Sequence, residues 1–175
     1  MAEYGSADQF LEQVGKGAKA GCILLDLKMP GLSGSGLQAQ LSEIGSSLPI
    51  IFLTGHADVP TTVRAMKAGA DDFLTKPVSE QSLIESIEGA LSRSEAERTK
   101  LEWRNSARSR LETLTPRERE VFEYVVRGKM NKQTAYELGI TVRTIKAHRQ
   151  RLFDKLGVDT VAELVSLAER LGVLH

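Results

Sequence analysis

Leu138-Gly139-Ile140-Thr141-Val142-Arg143-Thr144-Ile145-Lys146-Ala147-His148-Arg149-Gln150-Arg151-Leu152-Phe153-Asp154-Lys155-Leu156-Gly157 decides the fold of the C-terminal third of this 175-residue chain. Gly139-Ile140-Thr141 is a three-residue turn between two helical patterns, and two short helices on a tight glycine turn make a helix-turn-helix. In the second pattern Val142, Ile145, Leu152 and Leu156 recur at helical spacing and should face inward. Arg143, Thr144, Lys146, Ala147, Gln150 and Arg151 are left on the outer face, which offers donors and a small residue without an acid. Phosphates repel carboxylates, so this composition suits a helix entering the major groove of double-stranded DNA. Ala147 lets the backbone approach base edges and can touch a thymine methyl.

Working outward, the rest of this third reads as helical too. Thr115 caps a helix opening at Pro116, with Val121, Phe122, Val125 and Val126 as its apolar face and Gly128 as its stop. Asn131 is expected to cap a helix over Lys132–Leu138, and Thr160 a final helix reaching Leu171. Ahead of them, residues 92–113 are charged throughout, with sparse apolar positions at Leu101, Trp103 and Ala107. This stretch reads as a solvated helical linker, or as a helix that also serves dimerisation or signal transfer through Trp103.

The first half alternates between two periods. Ala7 to Val14 is helical, with Phe10, Leu11 and Val14 apolar. Cys22-Ile23-Leu24-Leu25-Asp26 and Pro49-Ile50-Ile51-Phe52-Leu53-Thr54 are strands buried on both faces. Helices follow over Gly36–Ile44 and Val59–Ala68, the latter stopped by Gly69. Asp72-Phe73-Leu74-Thr75 is a short third strand broken by Pro77, and a helix from about Ser79 places Leu83, Ile84, Ile87 and Leu91 on one face. Strands separated by helices imply a parallel sheet covered on both sides. The domain reading is therefore 1–91, a linker over 92–113, and 114–175.

The formal charge is zero, with 23 basic and 23 acidic residues, but it is unevenly spread. Residues 1–92 hold 6 Lys and Arg against 11 Asp and Glu, residues 93–110 hold 6 against 3, and residues 111–175 hold 11 against 9. An acidic half joined to a basic half suits two domains with different partners. No apolar run reaches the ~18 residues of a transmembrane helix, and residues 1–5 have neither basic nor apolar signal-peptide character. The expected location is the cytoplasm, with no membrane partner. The lone cysteine, Cys22, opens an apolar run and reads as a packing residue.

Asp26, Thr54 and Lys76 stand at the C-terminal ends of successive apolar runs, the edge where parallel α/β sheets bind ligands. A carboxylate, a hydroxyl and an ammonium converging there suit phosphoryl transfer. The carboxylate attacks phosphorus, and the other two bond the phosphoryl oxygens. There is no Gly-x-Ser-x-Gly, Walker loop, His-Glu-x-x-His or Gly-x-Gly-x-x-Gly, so a stand-alone hydrolase is the weakest reading and no enzyme is expected.

Leu114-Thr115-Pro116-Arg117-Glu118-Arg119-Glu120-Val121, then Gly128, Asn131-Lys132, Ala135, Leu138 and Thr141 to His148, resemble the LuxR/FixJ-type four-helix DNA-binding domain. The resemblance implies that Lys146, Ala147 and Gln150 face base edges, and that Lys132, Arg143, Thr144 and Arg151 meet phosphates. Glu118 resembles the family's internal ion-pairing acid. The final helix, with Leu164, Val165 and Leu167, would be either core or a homodimer contact.

Leu25-Asp26-Leu27-Lys28-Met29-Pro30-Gly31, Phe52-Leu53-Thr54-Gly55-His56, Lys67 to Leu74 and Thr75-Lys76-Pro77 resemble a response-regulator receiver domain of flavodoxin-like fold. The resemblance implies that Asp26 is the phosphoacceptor, Thr54 the switch hydroxyl, Lys76 the phosphoryl-binding lysine and Phe73 the rotating aromatic. The Lys76-Pro77 peptide should be cis. The resemblance further implies a Mg²⁺ site, with Asp26 and the Lys28 carbonyl among its ligands; His56 reads as a surface loop residue. The receiver's first strand, first helix and acidic pair have no counterpart, and Ala2 to Gly5 take the second strand's place. The chain is thus similar to two-component regulators of the FixJ/NarL type, whose partners are promoter DNA and a sensor histidine kinase. The alternative is a phosphorylation-independent DNA binder whose receiver serves only in dimerisation or structure.

Overall fold

The computed structural model describes residues 2–14, 21–29, 31–55 and 58–173, together with the side chains of these residues other than Gln13 and Val14. The expected roles of the Val14 side chain, Pro30 and His56 fall outside the described residues. The chain forms two compact units, Met1–Arg98 and Thr99–His175.

In the first unit, β1 (Ile23–Asp26), β2 (Ile50–Thr54) and β3 (Asp72–Thr75) pair in parallel in that order. The helices are α1 (Ala7–Val14), α2 (Gly34–Glu43), α3 (Val59–Lys67) and the opening part of α4 (Glu80–Glu112). Among the described strands β2 is central, with Ile51 and Phe52 fully buried, as a continuous apolar run requires. Leu25, Leu37, Leu41 and Ala65 cluster with its Ile50 and Phe52. α2 starts where the Ser33 hydroxyl accepts from the Gly36 N–H at 3.2 Å. α3 starts where Asp58 accepts from Thr61 N–H at 2.7 Å and ends before Gly69, whose φ of 93° a side chain would resist. Residues 2–5 form no strand, contrary to expectation. Their one large ring, Tyr4, packs edge-on against Phe10 of α1, with centroids 5.2 Å apart.

α4 runs unbroken through the charged stretch, and its 99–112 segment belongs to the second unit. Ala107 and Leu111 are core there, and Trp103 packs against it. Positions 103, 107 and 111 share one helical face, so this segment is amphipathic despite its charge.

The other helices of that unit are α5 (Pro116–Val126), α6 (Asn131–Leu138), α7 (Val142–Leu156) and α8 (Val161–Leu171). Val121, Phe122, Val125, Ile145, Leu152, Leu156 and Leu164 form the core. Two expectations need correction. Asn131 is the first residue of α6 rather than its cap. Met130 occupies the cap position, and the Gln133 side chain accepts its N–H at 2.9 Å. Asn131 Oδ1 instead accepts from Arg149 Nη1 at 3.0 Å. Val142, the first residue of α7, is not inward-facing; it is 36% exposed. Of the two roles left open for the final helix, Leu164 and Leu167 take the core one, being buried within the unit, while Val165 is half-buried. Gly139 and Gly157, at φ 66° and 65°, end α6 and α7 in the left-handed region that glycine enters freely.

Candidate phosphoacceptor site and nucleic-acid interface

Register builds the first site. Asp26 lies opposite Leu53 and Thr54 opposite Thr75, so the three strands end together at one edge of the sheet. Lys76 N–H donates to the Thr54 carbonyl at 2.7 Å, extending the pairing to the residue before Pro77. The Lys76-Pro77 peptide is cis. The Lys76 ammonium donates to Asp26 Oδ2 at 2.8 Å, while Lys28 N–H donates to Oδ1 at 3.0 Å. The Lys76 hydrogen bond, only partly opposed by desolvation and helped by Lys28, holds the Asp26 carboxyl below the usual carboxylate range. The Asp26 side chain is 36% exposed, open to a reagent from solvent. Thr54 is buried, and the Phe73 ring lies 6.1 Å from that of Phe52, half-buried at the sheet edge.

Such an edge offers an ionised carboxylate with an ammonium already beside it. Lys28 approaches Asp26 through its N–H, and among the described residues no group of three His, Cys, Asp or Glu could hold a metal. Cys22 is half-buried, and burial with the Asp71 charge pushes its thiol up to about 11, so it stays protonated and unreactive. Gly34 is a residue that composition alone did not single out. A Cβ there would collide with the Asp26 carbonyl oxygen and lie 3.1 Å from Leu27 Cα and the Phe52 ring. α2 therefore seats its first turn against the backbone of the phosphoacceptor candidate. The signal was present in Ser33-Gly34, a capping serine followed by a residue without a side chain.

The second site is the outer surface of α6 and α7. Arg143, Lys146, Ala147, Gln150, Arg151 and Lys132 are all exposed. Thr144 is half-buried, sharing a hydrogen bond with the Thr141 hydroxyl at 2.9 Å. Gln150 Nε2 donates to Asp154 at 2.9 Å, so an acid does stand one turn beyond the basic stretch and orients this amide. Beneath the surface, buried Glu118 accepts from Thr115 N–H at 2.9 Å and from Lys155 Nζ at 2.6 Å. Lys155, chiefly, holds the Glu118 carboxyl down to about 2. The ion pair ties α7 to α5, and Lys155 is the partner that the sequence left unidentified.

Two family models match the chain: the response regulator receiver domain over residues 1–88, and bacterial regulatory proteins of the luxR family over residues 112–168. The response regulator protein TodT of Pseudomonas putida is 42% identical over 168 residues, covering 96% of this chain and 74% of TodT. The transcriptional regulatory protein FixJ of Azorhizobium caulinodans is 38% identical, covering 99% and 82%. Among solved structures, the response regulator StyR superposes with a TM-score of 0.85 at 44% identity, covering 95% of this chain and 84% of that one.

Proposed function

The chain belongs to the two-component response regulators that join a receiver domain to a LuxR-type helix-turn-helix, and from that membership we propose that Asp26 is its phosphoacceptor and α7 its DNA-reading helix. As a member it is a DNA-binding transcriptional regulator served by a sensor kinase. In the proposed step an Asp26 oxygen attacks phosphorus, the bond from phosphorus to the kinase histidine nitrogen breaks, and that nitrogen keeps the electron pair and takes a proton from water. Lys76 then moves from Asp26 Oδ2 to a phosphoryl oxygen, and the Thr54 hydroxyl donates to another. Drawing Thr54 toward the phosphoryl group opens space into which Phe73 turns. The observation that carries this reading is the 2.8 Å pair of Lys76 and Asp26 at the strand ends beside Thr54.

Receiver domains generally bind Mg²⁺ at this position. Here both Asp26 oxygens already accept hydrogen bonds, and among the described residues no group of three His, Cys, Asp or Glu gathers to hold a metal. Those donors alone do not make a magnesium site, with or without the Lys28 carbonyl, since Mg²⁺ demands near-octahedral oxygen ligation.

On the DNA, Lys146, Ala147 and Gln150 read base edges, while Lys132, Arg143, Thr144 and Arg151 fix the phosphates. Two chains bind as a homodimer on related half-sites. The chain turns over no substrate of its own and works in the cytoplasm. None of the described helices is long and apolar enough to cross a membrane.

Incubating the full chain with acetyl phosphate should form a weak, hydroxylamine-labile label that Asp26→Asn abolishes, and, with no magnesium site among the described residues, added Mg²⁺ should raise it little. Label surviving that substitution would refute Asp26 as acceptor. DNA affinity indifferent to both phosphodonor and Asp26→Asn would instead favour the phosphorylation-independent regulator.

A further inference from the structure

We infer that Arg110 is a positioning residue for the DNA-reading helix, clamping its C-terminal end through a contact that lies outside the DNA-contacting surface. The inference rests on the proposal that α7 reads DNA.

The last carbonyls of a helix have no partner within it. At the end of α7, Gly157 and Val158 N–H both go to the Phe153 carbonyl, at 2.9 and 3.2 Å. Leu156, fully buried, presents its carbonyl to Arg110 Nη1 at 2.7 Å. The guanidinium thereby places a positive charge at the negative end of the α7 dipole. It lies so close to Gly157 that a Cβ there would stand 2.8 Å from Nη1. The neighbouring Lys155 Nζ donates to the Thr113 carbonyl at 3.0 Å, and Thr113 in turn donates to the Arg110 carbonyl through its hydroxyl at 2.7 Å. Two adjacent residues of α7 are thus held by two residues at the end of α4.

Arg110 Nε is buried with no hydrogen-bond partner among the described residues. An unpaired buried N–H is costly, and an apolar side chain of similar length would avoid it. The feature that an apolar residue could not reproduce is the bond to Leu156. Geometry says why that bond matters. α7 has 15 residues, roughly 22 Å at about 1.5 Å per residue. A tilt of about 3° pivoting at one end shifts the other by roughly 1 Å, larger than the ~0.5 Å window of good hydrogen-bond lengths. Arg143, Lys146 and Ala147 lie toward the end away from the clamp. Loosening it therefore degrades base reading, which needs alignment, more than phosphate attraction, which acts over a Debye length of about 10 Å.

The test uses the full chain and two probes: the duplex that the wild-type chain itself enriches from a random-sequence library, and poly(dI-dC). Arg110→Met should lower affinity for the enriched duplex about tenfold while leaving affinity for poly(dI-dC) within twofold. Arg110→Lys, which keeps one donor, should recover most of the loss. Equal loss on both probes, no loss on either, or a Lys variant as poor as Met would overturn the inference. If Arg110→Met gives no cooperative unfolding of Trp103 fluorescence, the same ratio is read on Arg110→Gln with the same criteria. Lys146→Ala is the control. If it leaves the ratio unchanged, the reading of α7 itself fails; if it collapses the ratio and the Arg110 variants do not, only the clamp fails.

Discussion

Replacing Glu118 with Gln should cost the second unit about 2–3 kcal/mol at pH 7, and the cost should vanish in acid. Glu118 is 2% exposed and its carboxyl is held down to about 2 by Lys155 and the Thr115 cap, against an ordinary 4.5. At about 1.4 kcal/mol per pH unit, that gap is worth about 3 kcal/mol when the group is ionised. Lys155 is 34% exposed and can turn partly to water, which trims the figure toward 2. Because the folded-state value is the lower one, this stability is fully present above about pH 4.5. It is lost as pH falls from there toward 2. Gln cannot ionise, so the difference between wild type and variant should shrink across that window. The assay is urea unfolding of the full chain followed by Trp103, the only tryptophan. Trp103 packs on the core of this unit beneath Arg170, whose guanidinium lies 3.6 Å from the ring centroid, so its signal reports this unit. For a domain of this size the thermal midpoint should fall by roughly 10–20 °C. A difference below about 1 kcal/mol at pH 7, the most an exposed pair contributes, or one constant from pH 7 to 3, would refute the reasoning.

Gly34→Ala should destabilise the first unit by about 1–3 kcal/mol, because the new methyl must displace the Asp26 backbone or the Phe52 ring. Thermal melting by circular dichroism reads the loss, and an unshifted midpoint would mean that α2 moves aside freely. Lys146→Ala should weaken binding to the preferred duplex by about 1–3 kcal/mol and relax its sequence preference. Lys132→Ala should weaken all duplexes alike and flatten the slope of log affinity against log salt by about 1, measured by mobility shift at several salt concentrations.

Much of this was legible in the residues. Local rules fixed the strands, since Cys22 to Leu25 and Ile50 to Leu53 are too apolar to lie anywhere but between covering layers. The turn at Gly139 and the caps at Thr115 and Thr160 follow from local residue preferences, glycine for the turn and hydroxyls that bond nearby backbone for the caps. Asp26, Thr54 and Lys76 could be named as one site because strand ends of a parallel sheet gather at one edge. The stretch 92–113 was harder, because its charges mask the apolar face carried by Trp103, Ala107 and Leu111.

What the sequence could not supply were partnerships between residues far apart in the chain. Lys155 and Glu118 meet across 37 residues, and Arg110 and Leu156 across 46. No periodicity encodes such pairs, because each depends on where several packed elements finally come to rest. The same holds for Gly34, whose lack of a side chain matters only because the Asp26 backbone lies against it. The sequence by itself determined the element order, the two kinds of domain and the chemistry of each surface, since these follow from short-range pattern and composition. The tertiary structure alone decided which charges pair, which carbonyl Arg110 caps and how closely α2 seats on Asp26, since these are set by distances that only packing fixes.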